Sequence, residues 1–152
     1  KMNFIKNLFK KENNKSDIAS FEATELQIAV SKILVRTAKI DDEFHILEER
    51  KILDLLSKYF SLNDTDSKNL LEIGVSEEKS ATDLYAYTNT IKKSLDLIER
   101  KKIIEMMWQI IVTDDNFDPY ENNLVWRVAE LIGISTRERV QIKKDFLSTL
   151  NG

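Results

Sequence analysis

The chain has 152 residues, of which 42% are hydrophobic and 32% charged, a balance that excludes a disordered polymer and a membrane-embedded protein. It contains only three Gly and one Pro, together under 3% of the residues, whereas these two residue types make up about 12% of an average protein. Sandwiches, barrels and doubly wound sheets use many of these residues in turns, so the composition predicts a single compact all-α domain. The absence of Cys excludes disulfides and thiolate chemistry.

The net charge of −3 is unevenly distributed along the chain. Residues 1–15 hold five lysines and one glutamate, so the rest of the chain is acidic. No nucleic-acid partner is expected, because phosphate binding requires clustered Lys and Arg. No stretch reaches the ~20 apolar residues that span a bilayer, and the start lacks the apolar core of a secretory signal. These features predict a cytoplasmic protein.

The start of the chain predicts a short basic amphipathic helix over residues 2–11. Its apolar side chains fall on one stripe and its lysines lie elsewhere, and the stripe consists of Phe4, Ile5, Leu8 and Phe9. A polar linker follows over residues 12–17. We therefore divide the chain into an N-terminal segment, residues 1–19, and a helical domain, residues 20–152. The segment suits peripheral contact with an anionic membrane surface, a groove on a partner, or packing on its own domain.

The helical domain shows a 3.6-residue apolar period seven times, which predicts seven helices. Gly74 is predicted to end the short third helix, and Gly133 to end the sixth. Two capping boxes are predicted to begin the fifth and seventh helices, at Asp96-x-x-Glu99 and Ser135-x-x-Glu138.

The fifth helix is apolar nearly all round from Ile103 to Ile111, as expected of a central buried helix. Its Met106-Met107-Trp108 cluster is interpreted as core, as are Tyr85 and Tyr87 on the fourth helix. The charged run from Glu99 to Lys102 is interpreted as a solvated helix start.

An acidic segment occurs twice, each time between a long apolar helix and an amphipathic one. Residues 41–48 read DDEFHILE and residues 114–121 read DDNFDPYE, so that two Asp, the Phe and the final Glu coincide. One interpretation is structural. Asp118 is a helix N-cap, Pro119 takes the first helical position and Glu121 reaches back as the third residue. His45 and Glu48 occupy the equivalent positions in the first copy.

The second interpretation is a hard-cation site, because clustered carboxylates suit Ca²⁺ or Mg²⁺. Capping needs one acid per helix, which leaves each Asp pair unexplained. The spacing of Asp114, Asn116 and Asp118 copies the opening of an EF-hand loop, but Val125 replaces its final Glu and the loop lacks its Gly. A shared site is predicted instead, with these candidate metal ligands: Asp41, Asp42, Glu48, Asp114, Asp115, Asp118 and Glu121.

These segments resemble the tellurite-resistance TerB family, whose domain also occurs in DjlA-type co-chaperones. The resemblance rests on the segments 40–44 and 113–117 with their following Glu, and on LDLIER at 95–100 leading into Met107-Trp108. It covers roughly residues 24–148. Asp42 and Asp115 stand where the family usually has Gly. The resemblance implies an all-helical seven-helix fold and a divalent-metal or stress-linked role, in a family with no established catalytic activity.

The predicted function is therefore a non-enzymatic TerB-like module that binds a divalent cation. The alternative is a protein-interaction or membrane-peripheral adaptor whose acidic loops only cap helices. No nucleophile elbow or Gly-rich phosphate loop is present in the sequence. The partner protein and the oligomeric state do not follow from the sequence.

Overall fold

The computed structural model describes residues 21–38, 45–80, 84–113 and 119–151, and within them the chain forms helices and no strand. The predicted all-α bundle of seven helices is confirmed. The N-terminal segment, residues 1–19, lies outside the described residues. The helices are α1 (Glu25–Ala38), α2 (Ile46–Phe60), α3 (Asp64–Ser80), α4 (Leu84–Ser94), α5 (Leu97–Ile111), α6 (Pro119–Leu131) and α7 (Thr136–Asn151). None of these helices is long and apolar enough to cross a membrane.

Helix α5 is the centre of the bundle, as its sequence predicts. Seven of its fifteen residues are buried, and Met107 and Trp108 are at most 1% exposed. It packs against α1, α2, α6 and α7. A fully buried aliphatic side chain contributes about 1.5–3 kcal/mol relative to an exposed one, and this helix supplies more buried apolar side chains than any other described helix. The interpretation of Met106, Met107 and Trp108 as core is confirmed.

The contacts of α5 show that its neighbours alternate in direction. The Tyr59 hydroxyl donates to the Glu99 carboxylate at 2.9 Å, which places the end of α2 beside the start of α5. Lys51 and Gln109 line one cleft farther along the same two helices, so α2 and α5 are antiparallel. Arg100, in the first turn of α5, donates to the Ile132 carbonyl at 2.7 Å. Helix α6 therefore also runs opposite to α5.

Helices α1 and α3 run in the same direction. Ser31 contacts α3 at Gly74, and Arg36, more than a turn later on α1, lies 3.5 Å from Glu78. Helix α3 begins four residues after α2 ends, and the end of α2 lies beside the start of α5. The starts of α1, α3 and α5 therefore lie at one end of the bundle. The starts of α2 and α6 lie at the other.

Gly74 does not end a helix, and this part of the prediction was wrong. Helix α3 continues through Gly74 to Ser80. A Cβ at Gly74 would lie 2.9 Å from the Cβ of Ser31 and still closer to its hydroxyl. The Ser31 hydroxyl in turn donates to the Leu70 carbonyl at 3.2 Å. Gly74 is therefore required by the close approach of α1 and α3, a constraint that no local pattern reveals.

Gly133 ends α6 as predicted, with a φ of 80° that disfavours residues carrying a side chain. The Ile134 N–H bonds the Ala129 carbonyl at 2.8 Å and the Gly133 N–H bonds the Glu130 carbonyl at 3.2 Å. These two bonds define a Schellman motif. The side chain of Arg100 covers the same turn, so this helix end is tied to the start of α5.

Two further interpretations need correction. Tyr85 is 60% exposed, whereas its neighbour Tyr87 is buried and donates to the Glu78 carboxylate at 2.9 Å. The segment Glu99–Lys102 is not simply solvated. Arg100 donates to the Leu95 and Ile132 carbonyls, at 3.1 and 2.7 Å, so its guanidinium satisfies backbone acceptors at two helix junctions.

Helix α7 contributes no fully buried side chain. Its Ile142 and Phe146 pack against the core while remaining partly exposed. The Lys143 ammonium lies 4.9 Å from the centre of the Trp108 ring and 3.0 Å from the Asn122 amide oxygen. The start of α7 forms the predicted capping box, in which Ser135 and Glu138 exchange 3.1 Å hydrogen bonds. Charge interactions and partial packing therefore hold this helix in place.

Substitution of Gly74 by Ala is expected to destabilise the fold by about 1–3 kcal/mol, because the added methyl forces α1 and α3 apart. In an unconstrained helix the same change would stabilise by about 1 kcal/mol. Urea unfolding measures the free energy. The double variant Ser31→Gly/Gly74→Ala should recover part of the loss beyond the sum of the single effects. A Gly74→Ala protein as stable as the wild type would contradict the close approach.

The pKa of the Glu138 carboxyl is lowered from 4.5 to about 2, first by the Ser135 backbone N–H and then by Lys101, whose ammonium is 3.1 Å away. A depressed pKa in the folded state gives stability that is present above pH 4.5 and lost as the pH falls toward 2. Glu138→Gln should therefore flatten the decline in Tm between these pH values. Glu130→Gln, at an exposed position on α6, is the control and should leave the decline unchanged.

Candidate functional site

The structure describes two of the seven predicted metal ligands. Glu48 and Glu121 lie in the first turns of α2 and α6, at the third residue of each helix. The other five lie outside the described residues, in the segments 39–44 and 114–118, and comprise Asp41, Asp42, Asp114, Asp115 and Asp118. The helix ends on either side of these two segments are described and define where the segments begin and end.

The helix ends that flank the two segments lie at one end of the bundle, which we call the acidic end. Segment 39–44 joins the end of α1 to the start of α2, and segment 114–118 joins the end of α5 to the start of α6. Since α2 and α6 are both antiparallel to α5, the starts of α2 and α6 and the end of α5 lie together. Helix α1 runs in the same direction as α5, and its last residue, Ala38, is also at this end.

Glu48 is buried, with 5% of its surface exposed, although it is only three residues from a helix start. The His45 backbone N–H donates to its carboxylate at 3.3 Å. This is the reciprocal contact of a capping box and confirms the position predicted for His45 before the helix. A carboxylate here also interacts favourably with the partial positive charge of the helix N-terminus.

Glu121 occupies the equivalent position on α6 and is 6% exposed. Helix α6 begins at Pro119, as the sequence predicts, since the proline ring preorganises the first turn and its missing N–H is not needed there. In both helices the two residues before the Glu are exposed, and the Glu turns inward. The repeated sequence therefore corresponds to a repeated local structure.

Sequence reasoning missed two other buried carboxylates, Glu49 on α2 and Glu72 on α3, which are 6% and 4% exposed. Each lies beside the apolar stripe that faces the core. The apolar period of the sequence alone does not show that the acidic side chain is buried. Glu48 and Glu49 together make the start of α2 rich in buried negative charge. Burial of charge is costly without compensation, so this region needs positive partners or hydrogen-bond donors.

Among the described residues, no three His, Asp or Glu side chains are grouped closely enough to hold a metal ion. Glu48 and Glu121 are oxygen donors of the type that Ca²⁺ and Mg²⁺ prefer, but these cations need six or more ligands. Any cation at the acidic end would therefore take most of its ligands from segments 39–44 and 114–118.

An open cleft of about 370 Å³ lies along the side of the bundle between α2 and α5. Its floor includes Leu55 and Met106, and lysines and acids occupy its rim. Lys58 and Asp54 on this rim form an ion pair at 3.3 Å. The cleft contains none of the predicted site residues, so the candidate site stays at the acidic end.

The capping role of Glu48 can be separated from the role of its charge. Glu48→Ala removes the acceptor for the His45 N–H and should lower stability by about 1 kcal/mol in the absence of added cations. Glu48→Gln keeps an acceptor oxygen and should cost clearly less. Both are measured by chemical unfolding in a chelating buffer. Equal losses in the two variants would show that the negative charge, rather than the cap, stabilises the helix start.

The chain was compared with known proteins. Residues 27–144, from the first turn of α1 to the middle of α7, match the family described as Tellurite resistance protein TerB. No curated protein and no solved structure gave a significant match. The family match spans well over half of the chain and includes both acidic segments. The all-α fold, the repeated helix starts and this match agree, and the chain belongs to the TerB family.

Proposed function

We propose that this protein is a non-enzymatic TerB-family module that binds one hard divalent cation, Ca²⁺ or Mg²⁺, at its acidic end. The observation that supports the proposal is that the helix ends flanking the two acidic segments lie at one end of the bundle. The alternating helix directions bring the starts of α2 and α6 to one end, together with the last residues of α1 and α5. Two segments far apart in sequence can then contribute ligands to one ion.

The number and type of the carboxylates support a cation. Seven acids were predicted as ligands, and Ca²⁺ takes six to eight oxygens in a flexible geometry. Glu48 and Glu121 would hold the ion from the two helix starts, and the Asp residues of segments 39–44 and 114–118 would supply the remaining oxygens. Mg²⁺ demands a stricter octahedron and retains water, so a wholly carboxylate site favours Ca²⁺.

The acids exceed the needs of helix capping. Glu48 alone accepts the reciprocal capping bond at α2. The adjacent pairs Asp41-Asp42 and Asp114-Asp115 would repel each other at one end of the bundle, and this repulsion costs stability unless it is screened or neutralised. A bound divalent cation removes the repulsion and thereby stabilises the folded state.

A second candidate function is an acidic docking face for a protein partner. It is favoured by the exposed apolar residues that follow both segments. Ile46, Leu47 and Tyr120 are 62%, 58% and 66% exposed in the first turns of α2 and α6. A partner with basic and apolar groups would suit this surface.

A stress or tellurite-resistance role, in the cytoplasm or at a membrane, is proposed from the family name.

Isothermal titration of the chelator-treated protein with Ca²⁺, Mg²⁺, Mn²⁺ and Zn²⁺ tests the cation site. We expect saturable binding of one Ca²⁺ and a rise in stability of about 1.4 kcal/mol at ten times the dissociation constant. The double variant Asp114→Asn/Asp115→Asn should weaken binding at least tenfold. Absence of both heat and thermal shift at millimolar cation would leave only the docking face.

A matched control removes the same charge at the other end of the bundle. Asp64→Asn/Asp66→Asn changes two acids in the first turn of α3, beyond the acidic end. It should leave the affinity for Ca²⁺ unchanged within about twofold. Equal weakening in both double variants would mean that net charge, rather than a defined site, attracts the cation.

A further inference from the structure

The bundle has a second unusual surface at the end opposite the acidic end. The first two residues of α5, Leu97 and Ile98, are 37% and 68% exposed. They follow the short junction between α4 and α5. Exposed aliphatic residues are common singly, whereas here two adjacent ones lie between two pairs of lysines in the sequence.

The charge of this corner is opposite to that of the whole chain. Residues 92–102 hold five basic and two acidic residues, in a protein of net charge −3. Lys92 and Lys93 end α4 and are exposed. Lys101 and Lys102 follow the apolar pair, and their side chains are 38% and 53% exposed although each also pairs with a Glu. We call Lys92, Lys93, Leu97, Ile98, Lys101 and Lys102 the basic corner.

The backbone of the basic corner is fixed before any partner binds. The Asp96 carboxylate accepts the Glu99 N–H at 2.9 Å and caps α5. The Arg100 side chain donates to the Leu95 carbonyl and to the end of α6, as described above. The apolar pair is therefore presented rigidly, which lowers the entropy lost when it contacts another surface.

The start of α1 lies at this same end of the bundle. Helix α1 begins at Glu25 and is capped by reciprocal hydrogen bonds between Thr24 and Gln27, at 2.9 and 3.1 Å. Because α1 runs in the same direction as α5, its start lies at the end where α5 starts. The lysine-rich, amphipathic residues 2–11 precede α1 by only about a dozen positions. The sequence therefore holds a second basic and apolar element shortly before the helix that starts at this end.

We propose that the basic corner docks the protein on an anionic lipid surface, with Ile98 and Leu97 inserted at the headgroup level and the four lysines beside the anionic headgroups. Lysines near an anionic membrane each strengthen binding roughly fivefold. A short amphipathic segment binds membranes weakly alone, and stable attachment takes two signals. The basic corner is the second signal for residues 2–11.

A lipid surface fits this corner better than an acidic protein does. Leu97 and Ile98 are exposed in the first turn of α5, and lysines precede and follow them in the sequence. A fluid interface accommodates exposed apolar groups without a preformed complementary shape, whereas a protein partner needs a matching surface. With this end on the membrane, the acidic end faces the solvent.

Vesicle flotation of the full chain tests the proposal. The vesicles are pure phosphatidylcholine, or phosphatidylcholine with 30% phosphatidylserine, and EDTA excludes bridging of the acidic end to lipid by a cation. We expect binding to the anionic vesicles only. Lys92→Glu/Lys93→Glu should weaken it at least about 20-fold, and Ile98→Ser roughly fivefold.

Matched controls are available elsewhere on the surface. Leu47→Ser changes a similarly exposed residue at the second position of α2, on the acidic end. Arg127→Glu/Lys144→Glu makes the same change in net charge at exposed positions on α6 and α7. Both should retain binding within about twofold, and circular dichroism confirms that all variants are folded.

The proposal is overturned if the full chain binds neither vesicle, in which case the corner serves a protein or no partner. It is also overturned if the corner variants bind as well as their controls, since residues 2–11 would then suffice. Its predicted result is loss of binding in the corner variants alone.

Discussion

The burial of α5 on nearly all sides is the constraint on which the bundle depends. A helix that is apolar all round must be covered by neighbours, and α1, α2, α6 and α7 provide that cover. Short connections join successive helices, so the chain reverses direction at each one. This reversal brings the helix ends that flank segments 39–44 and 114–118 to one end of the bundle, although about seventy residues separate the two segments. The location of the candidate site thus follows from the way the core is covered.

Much of this fold could be predicted from local sequence. The number of helices, the buried α5, the start of α6 at Pro119 and the Schellman turn at Gly133 all rest on periodicity and capping chemistry, which act within a few residues. Gly74 and Arg100 could not be predicted in this way. Gly74 is required by the nearness of Ser31 on another helix, and Arg100 by carbonyls at the end of α6. Both depend on contacts between helices, which the local pattern does not contain.

The candidate site divides in the same way. The capping positions of His45 and Glu48 were predictable because a cap is a local structure, and the inward turn of Glu121 follows from its equivalent position. No local pattern indicates that Glu49 and Glu72 are buried, because their burial depends on which helix covers them. Coordination of a cation by both segments is likewise a question of tertiary distance. The fold brings the helix ends that flank both segments to one end of the bundle, and this is the physical reason for considering the two segments as one candidate site.

The proposals give the two ends of the bundle different chemistry. At one end, carboxylates lie in the first turns of two helices, where we propose that a cation binds. At the other, lysines and two aliphatic side chains surround the start of α5. Helices about fifteen residues long separate the ends by roughly 20 Å, which exceeds the Debye length at physiological salt. The electrostatic coupling between the two surfaces is therefore weak, and one molecule can bind a cation and a lipid surface at the same time.

The weak burial of α7 has a consequence for the dynamics of the domain. Its side chains are all at least partly exposed, so its detachment exposes less apolar surface than global unfolding does. Regions of this kind open locally at a fraction of the total free energy. Amide hydrogens of α7 would then exchange faster than those of α5, and the indole of Trp108, now beneath Lys143, would meet water during each opening. The fluorescence of Trp108, the more buried of the two tryptophans, therefore reports on the opening of α7.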